Sequence, residues 1–142
     1  MRATSYVITI GIGMILTVVP VSAHHAFSSE FDADKPVNLK GAVSKLEWVN
    51  PHTWIHIDVT GPDGKVDTWM IEAGSPNVLL RRGFNKSMVA IGTVIGVRGF
   101  AAKGGTHKAN GGEMTLANGR TLLLGSPDSG APEDKKPDDK KK

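Results

Sequence analysis

Cysteine is absent from the 142 residues. Disulfides, thiolate metal sites and thiol nucleophiles are therefore excluded. Export is not excluded, because an exported domain can fold without a disulfide. No apolar run reaches the roughly 20 residues that a membrane span needs. The uncharged run at residues 6–19 has only 14. A strong charge of either sign is missing too. The 17 basic and 14 acidic side chains give +3, too mild to predict nucleic-acid binding. The serines show no nucleophile-elbow pattern. Gly104-Gly105 and Gly111-Gly112 flank a loop with no helix after it, so no phosphate loop is supported. Glu47, Asp58 and Glu72 are scattered over three predicted strands, and nothing marks two of them as an acid–base pair. The sequence leans away from an enzyme, and it assigns no catalytic residue.

What is present begins with a leader. Residues 1–23 read as a cleaved signal peptide: Arg2, then the apolar run, then Pro20 and the small-residue pattern Val21-Ser22-Ala23. This predicts a periplasmic or secreted protein that meets a membrane only through the leader before cleavage. Cleavage after Ala23 makes His24 the first residue of the mature chain. Residues 24–36 form an N-terminal arm, expected to be mostly irregular, with Phe27 and Phe31 spaced to pack it onto the body. Residues 125–142 are rich in Pro, Asp, Ser, Gly and Lys, with five acids balancing five lysines. That tail cannot bury a core and is expected to be disordered.

Residues 37–124 carry the domain. Pro36 precedes an imperfect alternation through Val37, Leu39, Gly41, Val43 and Leu46, which predicts a bent or bulged long strand. Asn50-Pro51 is a turn signal. Thr53, Ile55, Ile57 and Val59 then alternate with His52, Trp54, His56 and Asp58, so one strand presents two distinct faces. Gly61-Pro62-Asp63-Gly64 predicts a hairpin into a third strand through Trp69, Met70 and Ile71. Ser75-Pro76 is an N-cap followed by proline at the first helical position, and Gly83 suits the helix's end. Residues 93–100 alternate again, residues 103–112 read as a Gly-rich loop, and Asn118-Gly119 predicts a last hairpin between residues 114–116 and 121–124. The order is that of a mainly β, OB-fold-like Greek-key barrel of five to six strands, with one short helix between strands 3 and 4. An SH3-like barrel or a plain sandwich is the alternative.

Several unusual clusters recur in one order along the chain: His24-His25-Ala26-Phe27-Ser28, Gly41-x-Val43, Glu47-Trp48-Val49-Asn50-Pro51-His52-Thr53-Trp54-Ile55, Gly74-Ser75-Pro76-Asn77 and Leu80-Arg81-Arg82-Gly83. With them the chain resembles a family of small exported bacterial proteins characterised only as a domain of unknown function. The resemblance covers most of residues 24–124. It implies export and a small β-rich domain, and it implies no activity.

The chemistry must come from the residues. A first-residue His24 offers an α-amine and its own imidazole, which together can chelate one ion. A third nitrogen from His25, His52 or His56 would complete a T-shaped set that resembles the histidine brace of copper proteins. Nitrogen-rich ligation without thiolate suits Cu(II), Ni(II) or Zn(II). His52 and His56, four apart on one strand, should stand about 13 Å apart, so at most one of them is expected to join His24. His52, beside the turn, is the better placed. The competing reading makes His52 a turn residue and His56 a packed strand residue. The tryptophans offer the other function: Trp54 and Trp69, with Trp48 and Asn50 nearby, would form a face binding a small ligand or a periplasmic protein without metal. Against it, Trp48 and Trp69 can equally be core. Arg81 and Arg82 fit a solvated helix end, where they complement the helix dipole.

Overall fold

The computed structural model describes residues 24–125 and 131–132. The leader, and the tail apart from Ala131 and Pro132, lie outside the described residues. The chain is mainly β, and among the described residues six strands are hydrogen-bonded into one sheet. The strands are β1 (Phe31–Glu47), β2 (Thr53–Thr60), β3 (Val66–Ala73), β4 (Val94–Ala102), β5 (Lys108–Leu116) and β6 (Thr121–Leu123). Helix α1 (His24–Glu30) precedes β1, and α2 (Pro76–Arg81) follows β3. A 3-10 turn at Lys86–Val89 leads into β4.

β1 is the long central strand, pairing with β2 along one edge and with β4 along the other. Its predicted bulge falls between Val43 and Lys45. Gly41 lies so close to β2 that a Cβ there would stand 2.4 Å from the Asp58 carbonyl oxygen. Only glycine permits that approach. β4 pairs with β5 and β5 with β6, all antiparallel. β3 and β5 pair in parallel through Met70–Lys108, Ile71–Ala109 and Glu72–Asn110.

The β2–β3 and β5–β6 hairpins close in the same way. In the first, Gly64 donates to the Gly61 carbonyl, and in the second Gly119 donates to that of Leu116. Both closing glycines are left-handed, with φ of 80° and 81°. Each turn therefore holds one residue more than a two-residue hairpin. Helix α2 follows its sequence signals. Ser75 Oγ accepts from the Val78 N–H at 3.4 Å, Pro76 is the first helical residue, and Gly83 ends the run with φ of 80°.

The alternation in β2 holds. Thr53, Ile55 and Ile57 are buried, and they join Val43, Ile71, Phe84, Ile95, Val97 and Met114 in the main core. A second, smaller core lies on the sheet's other side. There Phe27 and Phe31 pack on Phe100 and Ala102, with the Phe27 ring edge-on to Phe100 at 5.6 Å.

Two expectations are corrected. Residues 24–36 are not mostly irregular: they form α1 and the first part of β1. A seven-residue helix has little stability alone, and this one stands where Phe27 packs against Phe100. Residues 103–112 are not all loop either. β5 begins at Lys108, and the parallel ladder with β3 supplies its pairing, a contact between segments nearly forty residues apart that local pattern does not reveal.

Candidate functional site: a histidine–carboxylate face

Directly opposed residues of an antiparallel pair share one face of the sheet. β2 and β3 oppose Trp54 to Glu72, His56 to Met70 and Asp58 to Thr68. β1 opposes Glu47 to Trp54 and Lys45 to His56. These side chains therefore stand together on the face turned away from the main core. β5 extends it by setting Lys108 beside Met70 and Asn110 beside Glu72.

His52, just before β2, and His56, within it, each have their own carboxylate. His52 Nδ1 lies 2.8 Å from Glu72 Oε1, with the imidazole 39% exposed and the carboxylate 11% exposed. His56 Nε2 lies 2.7 Å from Glu47 Oε1, and Lys45 Nζ donates to that same oxygen at 2.9 Å. The two carboxylates sit in different environments. Burial pushes the Glu72 carboxyl above the ordinary glutamate value, the neighbouring His52 pulls it back, Glu30 pushes it up and Lys108 pulls it down. Glu47 shifts the other way, lowered first by its hydrogen bond from Lys45 and then by His56.

Lys108 ties the face to α1. Its ammonium binds the Glu30 carboxylate and lies 4.7 Å from the centre of the Trp54 ring. Lys103 Nζ reinforces the contact by donating to the Ser28 carbonyl at 2.6 Å. The end of α1 is thus fastened beside Glu72 and His52.

The candidate residues separate into groups. His52 and His56 do not meet; each answers to a different glutamate. His24 and His25 open α1, but their side chains lie outside the described part. Among the described residues no three His, Asp or Glu side chains converge as a metal cluster. Trp54 and Trp69 do not share a surface. Trp69 opposes Ile57, packs against the main core and stacks on the His107 ring at 5.1 Å. Trp48 also packs against the core and lies nearly parallel to Phe84, 5.7 Å away. Asn50, in a cis peptide bond with Pro51, is exposed in the β1–β2 turn. Sequence reasoning missed Lys108 and Glu30, and it left Glu47 and Glu72 without partners. Alternation alone could place the two glutamates on faces, but only the strand register brings them to the histidines.

The sheet and this face define a small mainly β domain whose polar outer surface is built from histidine–carboxylate pairs around one tryptophan. The chain belongs to the family of unknown function DUF6152, whose model matches residues 13–111. That span holds the His24-His25 pair, the β1–β2 turn and the whole of α2. No curated protein matches the chain.

Proposed function

We propose that the protein is an exported OB-like domain that binds a transition metal, Cu(II) before Zn(II), through His24 and His52. The observation that carries this reading is the contact between His52 Nδ1 and Glu72 Oε1 at 2.8 Å. A carboxylate beside Nδ1 favours the proton on that nitrogen, which leaves the Nε2 lone pair for a metal. Metal-binding histidines are commonly oriented by a carboxylate in this manner. The ring is 39% exposed, so the ligand nitrogen can be reached from solvent. His24 supplies the rest when it is the first residue, since its α-amine, with a pKa near 8, and its imidazole chelate together. The metal supplies a Lewis-acidic centre. The chain's own residues orient His52 and, through Lys108, Glu30 and the Phe27 cluster, hold α1 against the sheet.

Export rests on the leader at residues 1–23. The barrel reading rests on pairing order: β1 to β2, β2 to β3, β3 to β5, β5 to β4 and β4 back to β1, with α2 between β3 and β4. That circuit and helix position support an OB-like reading.

Copper titration of the exported protein, its start checked by intact mass, tests the metal reading. One Cu(II) per chain, bound at least tenfold more weakly by His24→Ala and by His52→Ala, is expected. A mature chain that starts elsewhere, or binding unchanged by both substitutions, contradicts it.

A second reading is a metal-free ligand face around Trp54, which stands on the outer side of β2 and β3, where OB-folds take ligands. Trp69 takes no part in it. A ligand stacking on the Lys108 side of Trp54 must displace the ammonium. Quenching of Trp54 fluorescence by a sugar or peptide, lost in Trp54→Phe and unaffected by chelator, would favour this reading.

A further inference from the structure

The mild net charge conceals a segregation along the chain. Residues 24–73 carry eight acidic and four basic side chains, whereas residues 74–125 carry one acidic and seven basic. The first group builds α1, β1, β2 and β3; the second builds α2, β4, β5 and β6. The single acid of the second group, Glu113, pairs with Arg98 at 3.2 Å. Lys108 binds Glu30, and Lys103 binds the Ser28 carbonyl. Arg81, Arg82, Lys86 and Arg120 are left, and among the described residues none of them pairs with a carboxylate.

These four cations gather at the α2 end of the sheet. Arg82 Nη1 binds the Gly125 carbonyl and lies 3.5 Å from that of Leu123. Arg120 Nη2 lies 3.3 Å from where a Cβ on Gly83 would stand. Lys86 sits 5.8 Å from the centre of the Trp48 ring. Two exposed leucines adjoin them: Leu80, next to Arg81 in α2, is 53% exposed, and Leu123, whose carbonyl faces Arg82 and which opposes Glu113 on β5, is 58% exposed.

We propose that this end of the domain docks on an anionic lipid surface, with Arg81, Arg120 and Lys86 against the headgroups and Leu80 and Leu123 entering the interface. A soluble polyanion would use the cations alone. Exposed leucines interleaved with arginines match the amphipathic chemistry of a membrane interface. The inference is independent of the metal reading, because the histidine face is built on β1, β2, β3 and the start of β5, and none of its residues is among these cations and leucines.

Co-sedimentation of the exported full-length chain with vesicles of phosphatidylglycerol and phosphatidylcholine, against phosphatidylcholine alone, tests it. Binding to the anionic vesicles alone is expected, weakening as salt rises. Arg81→Gln with Arg120→Gln should weaken it about thirtyfold, taking about 1 kcal/mol for each cation at the surface. Leu80→Ser with Leu123→Ser should also weaken binding to the anionic vesicles, because the apolar insertion adds to the attraction of the cations. Both pairs are exposed, and a far-ultraviolet dichroism spectrum matching the parent's confirms that each variant is folded. Equal binding to neutral vesicles, or full binding by the arginine variant with the tail lysines 135, 136 and 140–142 left to carry it, would overturn the proposal. So would binding of heparin but of neither vesicle, which would identify a soluble polyanion as the partner.

Discussion

Glu72 is the residue whose surroundings say most about the outer face. It is 8% exposed and stands among His52, Glu30 and Lys108, while Asn110 occupies the paired position on β5. Burial raises its carboxyl pKa, so the folded chain holds this proton more tightly than the unfolded chain does. The linked stability is fully present below the unfolded value near 4.5 and is lost as pH rises through the folded value. Glu47 is lowered, so its contribution is present above the ordinary glutamate value and is lost on further acidification. The two effects occupy different pH windows. Thermal melts of the parent and Glu72→Gln should therefore converge or cross in the parent's favour as pH falls from neutral towards 4.5. A Tm difference constant over that range would remove Glu72 as a buried titrating group. The pairing of Glu72 with His52 was not legible in the sequence because it depends on which residue of β3 opposes Trp54. The turn at residues 61–65 decides that. A two-residue hairpin would have shifted the register by one and turned every β3 side chain to the other face. For the same reason Trp54 and Trp69 read as one surface in the sequence and stand on two in the structure.

At the scale of elements, local signals and long-range packing divide the chain between them. The β2 alternation, the β1 bulge after Gly41 and the capped helix α2 are each determined by residues within a few positions, and each is where the sequence puts it. Helix α1 is not of that kind. Its residues have no strong helical pattern, and its place depends on Phe100, some seventy residues away. Loss of that packing should therefore release α1 while leaving the main core intact. Phe27→Ala removes a ring that is 4% exposed, at a cost of about 3 kcal/mol where a packed phenylalanine is deleted. Amide hydrogen exchange should show α1 unprotected and the ladders of β1, β2 and β4 still protected. Loss of protection throughout would show that the small core is part of the global folding unit. Phe84→Ala, at a fully buried ring of the main core, provides the contrast, because it should lower protection in every strand.

Across the whole molecule, the sheet separates two surfaces that the overall composition averages away. One is the polar face of β1, β2, β3 and β5, where His52 meets Glu72 and His56 meets Glu47. The other is the basic end around α2 and the β5–β6 turn. The fastening of α1 by Phe27, Glu30 and Ser28 links the first surface to the helix that begins at His24, and the proposed function depends on that link. Its central claim is that the α-amine of His24 is a ligand along with His52. Copper titration of the chain beginning at His24, beside the same chain with Ala23 retained, tests this most directly. One added residue leaves every strand and both imidazoles in place and moves only the amine. Affinity at least tenfold weaker with Ala23 retained is the predicted result. Equal affinity in the two chains would contradict the account and leave the histidine–carboxylate pairs as supports of the fold.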